Sequence, residues 1–298
     1  MNPSLKTVIE AFIEKEHLPA AYAHTVEHWF LPMVEEVLQQ ISSHDGPFVI
    51  GISGSQGSGK STLAALIETL LKAMLGLRCV SLSIDDFYLT RAERQQLAES
   101  VHPLLATRGV PGTHDVSLAM DTLSALKRSG QVQVPRFDKA VDDRFPKEAW
   151  ECVSAPVDVI ILEGWCLSID DQPDAALVQP VNALEADEDS DGVWRTFVNQ
   201  AIRKNYQTFY NQVDFLVMLK APCFEKVYEW RQNQEDKLAE KVAQDEGREA
   251  ENRIMSTHEL KRFIQHYERV TRYGLKTLPE KADVVFQLTD NQTIEKRL

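Results

Sequence analysis

The chain has 298 residues with a formal charge of −13, long enough for one large α/β domain with insertions or two modest domains, each with a sizeable core. The acidic balance excludes a general affinity for nucleic acid or anionic membranes, which it would repel except at local basic sites, yet it permits a small anionic substrate held in a pocket. Four scattered cysteines without a Cys-x-x-Cys pair read as reduced, small buried residues, and with no apolar run of transmembrane length they predict a cytoplasmic protein.

Residues 1–45 read as two or three helices packed on the outside of a core that occupies 46–298. Leu5, Val8, Ile9, Phe12 and Ile13 form one apolar stripe, and Trp29, Phe30, Met33, Val34, Val37, Leu38 and Ile41 form another. His17, His24, His28 and His44 lack the Cys or ordered Glu partners of a metal site and read as solvated or capping residues.

The run Pro47–Ser53 is apolar, and Leu63, Leu66, Ile67, Leu70, Leu71 and Met74 recur at helical spacing. Between them stands Gly54-x-x-x-x-Gly59-Lys60-Ser61, so the pattern is strand, glycine-rich loop, helix. Such a loop aims successive backbone N–H groups at one phosphate, and the helix N-terminus adds its positive dipole end. Gly54, Ser55, Gln56, Gly57, Ser58, Gly59, Lys60, Ser61 and Thr62 therefore predict a cradle for a nucleoside triphosphate, with Lys60 on the terminal phosphates and Ser61 on Mg²⁺.

A second strand over Arg78–Ile84 runs into Asp85-Asp86-Phe87-Tyr88, placing two acids on the edge where parallel sheets keep their ligands. An acid there can take the proton of an attacking hydroxyl or hold the metal's water; the alternative is a helix cap. Pro103–Asp115 is too rich in Pro and Gly for a regular element and offers Arg108 and His114 to an anionic substrate. Asp115 reads as the N-cap of a helix through Leu126 that ends at Gly130. Val132–Lys139 is a short edge strand broken by Pro135, and Asp142-Asp143-Arg144 adds charges that a solvated loop would also carry.

Ala155–Leu162 is continuously apolar, as a strand covered on both faces is, and ends at Glu163-Gly164-Trp165, where a second acid can fix the metal's hydration shell. Acids crowd residues 185–192, which predicts a mobile insertion to which the pattern assigns no chemistry. A helix over Val193–Tyr210 and a buried strand over Asp214–Ala221 follow. A charged helix from Pro222 then predicts a lid over about 225–255, with Arg231 either on the phosphates or in an exposed helix ion pair. A helix carrying Phe263, His266, Tyr267 and Val270 and a strand over Ala282–Leu288 close the chain.

Taken together, Gly54–Ser61, Ser83-Ile-Asp-Asp-Phe-Tyr88-Leu-Thr90, Leu104–Gly109 with Gly112-Thr-His-Asp115, Val134–Lys139 with Asp143-Arg144, Ile161–Trp165, Ala221-Pro and Val227–Arg231 resemble the plant-type D-glycerate 3-kinases and their fungal and bacterial relatives. The likeness covers about residues 45–290 and extends more distantly to uridine kinase, phosphoribulokinase and bacterial pantothenate kinase. It implies a P-loop NTPase α/β/α fold with a mostly parallel sheet, a helical lid and an N-terminal helical extension, with ATP and Mg²⁺ as cofactors. It further implies Asp85 as base, Lys60, Asp85 and Glu163 as the catalytic set, and Ser61, Asp85 and Glu163 at the metal. Asp86, Tyr88, Arg108, His114, Asp138, Lys139 and Arg144 become candidates for the acceptor's carboxylate and hydroxyls. The stretch between Lys139 and Asp143 is shorter than in plant enzymes, and the acidic segment has no recognisable counterpart there. Rival readings are a kinase for another small hydroxylated acceptor (a nucleoside, pantothenate or a sugar) and an ATP-hydrolysing switch whose turnover answers to a protein.

Overall fold

The computed structural model describes residues 3–244 and 255–298. Its strands are β1 (Phe48–Gly54), β2 (Cys79–Ser83), β3 (Gly130–Val134), β4 (Phe137–Asp138), β5 (Asp143–Arg144), β6 (Glu151–Ala155), β7 (Val159–Gly164), β8 (Phe215–Lys220), β9 (Val284–Leu288) and β10 (Ile294–Arg297). Six of these form the main sheet in the order β10-β9-β8-β1-β7-β2, parallel except for β10 at one edge. All seven residues of β1 are buried, because helices cover both faces; this is why the central strands read as unbroken apolar runs instead of alternating.

The helices are α1 (Pro3–Lys15), α2 (Tyr22–Thr25), α3 (Leu31–Ser42), α4 (Lys60–Leu75), α5 (Arg91–Ser100), α6 (Val116–Leu126), α7 (Ala183–Glu188), α8 (Val193–Ala201), α9 (Gln207–Tyr210), α10 (Phe224–Gln244) and α11 (Thr257–Thr277). A π-turn over Val26–Phe30 joins α2 to α3, and another over Ile202–Tyr206 joins α8 to α9. The N-terminal helices are part of the core: Ile9, Phe12, Val26, Met33 and Val34 are buried, and Phe30 meets Phe286 of β9 edge-on at 5.3 Å. Arg297 of β10 pairs with Glu36 of α3 and ties the same face.

Register places the site. Glu163 of β7 lies opposite Ile52 on one side and Ser83 on the other, so it sits between the start of the loop after β1 and the turn after β2. That turn, Ile84–Phe87, is one round of 3₁₀ helix closed by a reciprocal cap between Ser83 and Asp86.

Three expectations change. Helix α6 does start at an Asp115 cap, with Leu118 N–H donating to its carboxylate at 2.9 Å, but it stops at Leu126 and Gly130 opens β3, since Gln131–Val134 alternates at strand period and pairs with β6. A tenth strand, β10, follows the predicted last one. The acidic segment, expected as a mobile insertion, is anchored: Glu185 and Asp189 are buried against Arg269 of α11 and Arg195 of α8. Asp189 also accepts from the backbone N–H of Trp194 and Arg195 and so caps α8. The predicted lid begins as α10; residues 245–254 lie outside those described.

Candidate active site

The loop between β1 and α4 turns at Gly57, where φ is +77° and an added Cβ would lie 2.9 Å from Trp230 Cβ, so that position admits only glycine without movement. Gln292, from the β9–β10 turn, donates to the Gly57 carbonyl at 2.6 Å and clamps the loop from outside. Lys60 Nζ folds back to the Ser55 carbonyl at 3.0 Å. Ser55 Oγ, Gln56 Oε1 and Ser58 Oγ are buried without a protein partner, which leaves the inside of the turn with polar atoms still to be satisfied. This arrangement, at the N-terminus of a sixteen-residue helix, is suited to a polyphosphate.

Two acids reach the same place. Ser61 Oγ, at the first turn of α4, donates to Glu163 Oε1 at 3.0 Å. Asp85 Oδ1 accepts from the Tyr88 hydroxyl at 2.8 Å, and Asp85 Oδ2 accepts from Lys139 Nζ at 2.6 Å. A cavity of about 360 Å³ brings Gln56, Gly57, Lys60, Ser61, Asp85, Tyr88, Arg108, Lys139, Glu163 and Arg231 onto one surface. Gly54, Ser55, Ser58, Gly59 and Thr62 complete the loop behind it. Ser61, Glu163 and Asp85 present only oxygen donors, the chemistry a hard divalent cation such as Mg²⁺ requires.

Four of the expected acceptor residues stand in the frame instead of on the wall. Asp86 receives the Ser83 N–H and the Arg136 guanidinium, and Asp138 receives the Ala140 N–H. Arg144 donates to the Tyr88 carbonyl at 2.8 Å and lies 3.6 Å from Asp115. His114 is buried, stacked on the Tyr88 ring at 4.4 Å. The Gly112 N–H donates to the Tyr206 hydroxyl, and that hydroxyl also shares a hydrogen bond with His114 Nδ1 at 2.7 Å.

A model of the phosphoribulokinase/uridine kinase family matches residues 49–181. Over 245 residues, 79% of this chain and 83% of the other, it is 33% identical to the uncharacterized kinase mug58 of Schizosaccharomyces pombe. The chain belongs to the phosphoribulokinase/uridine kinase family. Within it, the chain is 32% identical over 272 residues to the chloroplastic D-glycerate 3-kinase of Arabidopsis thaliana, covering 84% of this chain but about 55% of the plant enzyme's length. The structure is similar to a D-glycerate 3-kinase from Cryptococcus neoformans with a TM-score of 0.71 and 26% identity, over 89% of this chain and 98% of that one.

The electrostatics of this P-loop kinase follow from burial and pairing. Burial depresses the Lys60 ammonium, against the charges of Glu163 and Asp85, which favour it. For Asp85, burial pushes the carboxyl up, but the Lys139 ammonium on Oδ2, the Tyr88 hydroxyl on Oδ1 and nearby His114 together leave the group below the ordinary carboxylate range. Burial drives the Tyr88 phenol far up, so it stays a donor, and brings His114 down to about 4, so that ring stays neutral. Asp86 is raised by burial in spite of Arg136.

The cavity wall also contains residues that sequence reading assigned only to helix packing or to no role. Phe263 and Tyr267, one turn apart on α11, line it with Trp165 and Gln234. Trp165 Nε1 donates to the Gly109 carbonyl at 3.1 Å and its ring meets Tyr267 edge-on at 4.9 Å. Gly109, at φ +140°, is where this aromatic wall closes on the Arg108 loop: a Cβ there would lie 2.1 Å from the Tyr267 hydroxyl oxygen. The i, i+4 pair Phe263/Tyr267 was visible in the sequence, but its spacing is that of any core-facing helix stripe.

Proposed function

We propose that the protein phosphorylates D-glycerate to 3-phosphoglycerate with ATP, and that Asp85 receives the proton of the primary hydroxyl. The observation that carries this reading is the shared cavity: the phosphate loop with Lys60, the Ser61–Glu163 pair and the Asp85 carboxylate at one end, and Arg108 and Lys139 beside that carboxylate. The Arabidopsis and Cryptococcus D-glycerate kinases support the acceptor.

Residues 54–62 would bind the triphosphate tail, and Ser61 and Glu163, with Asp85, would hold Mg²⁺. Bound Mg²⁺-ATP supplies the phosphoryl group and part of the charge compensation at its oxygens. Lys60 and Arg231 offset the charge that spreads over the transferred group, and Arg108 and Lys139 orient the acceptor carboxylate. Asp85 holds the hydroxyl in line and takes its proton as the oxygen–phosphorus bond forms. The aromatic wall of Trp165, Phe263 and Tyr267 limits water in the site. The four free thiols suit a reducing compartment, and we place the protein in the cytoplasm.

Incubation with ATP and D-glycerate followed by ³¹P and ¹³C NMR of the product tests substrate and regiochemistry together, with 3-phosphoglycerate as the expected species. A second reading, another small hydroxylated acceptor, is favoured by the breadth of the matched family. It prevails if glycerate yields no ADP while a nucleoside, pantothenate or a sugar does.

A further inference from the structure

Residues 289–293, the turn between β9 and β10, contain one residue in a strained conformation. Gln292 stands at φ +62°, the left-handed region that glycine and asparagine tolerate and a long side chain does not favour. The turn closes without that side chain: Thr289 N–H donates to the Thr293 carbonyl at 2.8 Å, Gln292 N–H donates to the Thr289 carbonyl at 3.1 Å, and the two threonine hydroxyls meet at 2.7 Å. From α10, Trp230 Nε1 donates to the Asp290 carbonyl at 2.7 Å, and Lys226 Nζ lies 3.2 Å from the Asp290 carboxylate. Backbone strain kept at an exposed residue of a turn already closed points to a use for its side chain.

That side chain reaches the phosphate loop, 235 residues earlier in the chain, where Nε2 donates to the Gly57 carbonyl at 2.6 Å. The peptide group it holds joins Gly57 to Ser58, and the other end of that group is held too. Ser58 N–H donates to the Ser55 carbonyl at 3.2 Å, the same oxygen that receives Lys60 Nζ at 3.0 Å. A line of hydrogen bonds thus runs from Gln292 through one peptide plane to the oxygen that Lys60 grips, and each bond in such a line polarises the next. Gly57 makes the support necessary: Trp230 leaves room only for glycine there, and glycine is the residue whose flanking peptides turn over most easily.

We propose that Gln292 is a positioning residue for phosphoryl transfer: by fixing the Gly57–Ser58 peptide it keeps the phosphate loop in the shape that receives a triphosphate, without contacting the nucleotide's base. The strain at its own φ is offset by the hydrogen bond that this backbone lets the side chain make. The inference rests on the nucleotide-binding reading of the loop and not on the identity of the acceptor.

The test uses the full chain and compares the wild type with Gln292→Gly, which relaxes the backbone as it removes the donor, and Gln292→Met, which keeps the side-chain length and removes the donor alone. Calorimetry without acceptor reads the affinity for Mg²⁺-ATP and for inorganic Mg²⁺-triphosphate, and urea denaturation reads stability. Loss of one neutral hydrogen bond should weaken the binding of both ligands about 3- to 10-fold in both variants. KM for ATP should rise by the same factor while KM for the acceptor stays. Gln292→Gly should be the more stable variant, its urea midpoint within about 0.3 M of the wild type, because relief of strain offsets the lost bond. Three results overturn the proposal: undiminished triphosphate affinity, a loss confined to ATP, which would place Gln292 on the base, and a loss that follows the urea midpoint instead of the missing donor. If the wild type binds neither ATP nor triphosphate, the phosphate-cradle reading fails and the proposal with it. Intact binding without turnover of D-glycerate overturns only the acceptor.

Discussion

Replacing Arg269 tests whether the acidic segment is the anchor of the catalytic wall. Arg269 is on α11, two residues after Tyr267, and its five N–H donors are all used. Nε and Nη2 fork onto the two Glu185 oxygens at 2.7 and 2.6 Å, Nη1 reaches Gln172 Oε1 and the Ala176 carbonyl, and Nη2 reaches the Gln179 carbonyl. The side chains are 7% and 0% exposed, so Arg269→Leu would strand a carboxylate with only the Val181 N–H for company. Removing one partner of a buried, hydrogen-bonded ion pair costs about 3–5 kcal/mol. With a urea m value of roughly 3 kcal/mol/M, the denaturation midpoint should fall by about 1–1.7 M. The Glu185→Leu/Arg269→Met double variant should recover part of that loss, since replacing both charges removes the uncompensated one. Because α11 also carries Phe263 and Tyr267, the single variant should raise KM for the acceptor under conditions where it remains folded. A midpoint shift below about 0.3 M, or strictly additive single-variant losses, would refute the anchor.

Asp85→Asn should lower kcat by about 10²–10⁴ with ATP affinity nearly intact by calorimetry; parental turnover would remove Asp85 from the base role. Gly57→Ala should weaken ATP binding and cost about 1–2 kcal/mol of stability, because its φ of +77° strains an L-residue and Trp230 Cβ lies 2.9 Å from the new methyl; unchanged ATP affinity would show that the turn tolerates a side chain. His266 is buried and brought down from 6.5 to about 4, so the unfolded chain takes up a proton as pH falls through 6.5 while the folded protein does not. Its contribution is therefore complete above pH 6.5 and lost toward pH 4, by roughly 3 kcal/mol. His266→Gln should flatten urea stability between those pH values, and an unaltered slope would assign the acid sensitivity to His114 and the carboxylates.

What the sequence discloses and what it hides divide along a physical line. The phosphate loop is legible because one contiguous stretch supplies strand, turn and helix N-terminus, and Glu163 is legible because a buried strand announces its own end. The aromatic wall is illegible: Phe263 and Tyr267 have the periodicity of core residues, and only the path of α11 past Gly109 makes them a surface of the site. The acidic segment misleads because the partner of Glu185 lies 84 residues further along the chain, beyond the reach of any local pattern.

The acceptor residues fail in a more instructive way. In each adjacent pair of candidates one faces the cavity and its neighbour faces the frame: Asp85 lines the site while Asp86 braces Arg136, and Lys139 lines it while Asp138 caps its own turn. Consecutive side chains in a 3₁₀ turn or on a strand cannot share a direction, so a run of two charges in a loop motif reports one functional group and one group that fixes the loop. Asp86 fits this division. Its hydrogen bond to the Ser83 N–H closes the turn that aims Asp85, and Arg136 in turn joins it to the Ser81 carbonyl of β2 and to Glu151 of β6. The base is thus held by the sheet through its neighbour, while Lys139, the most exposed of its contacts, meets its other oxygen at 2.6 Å.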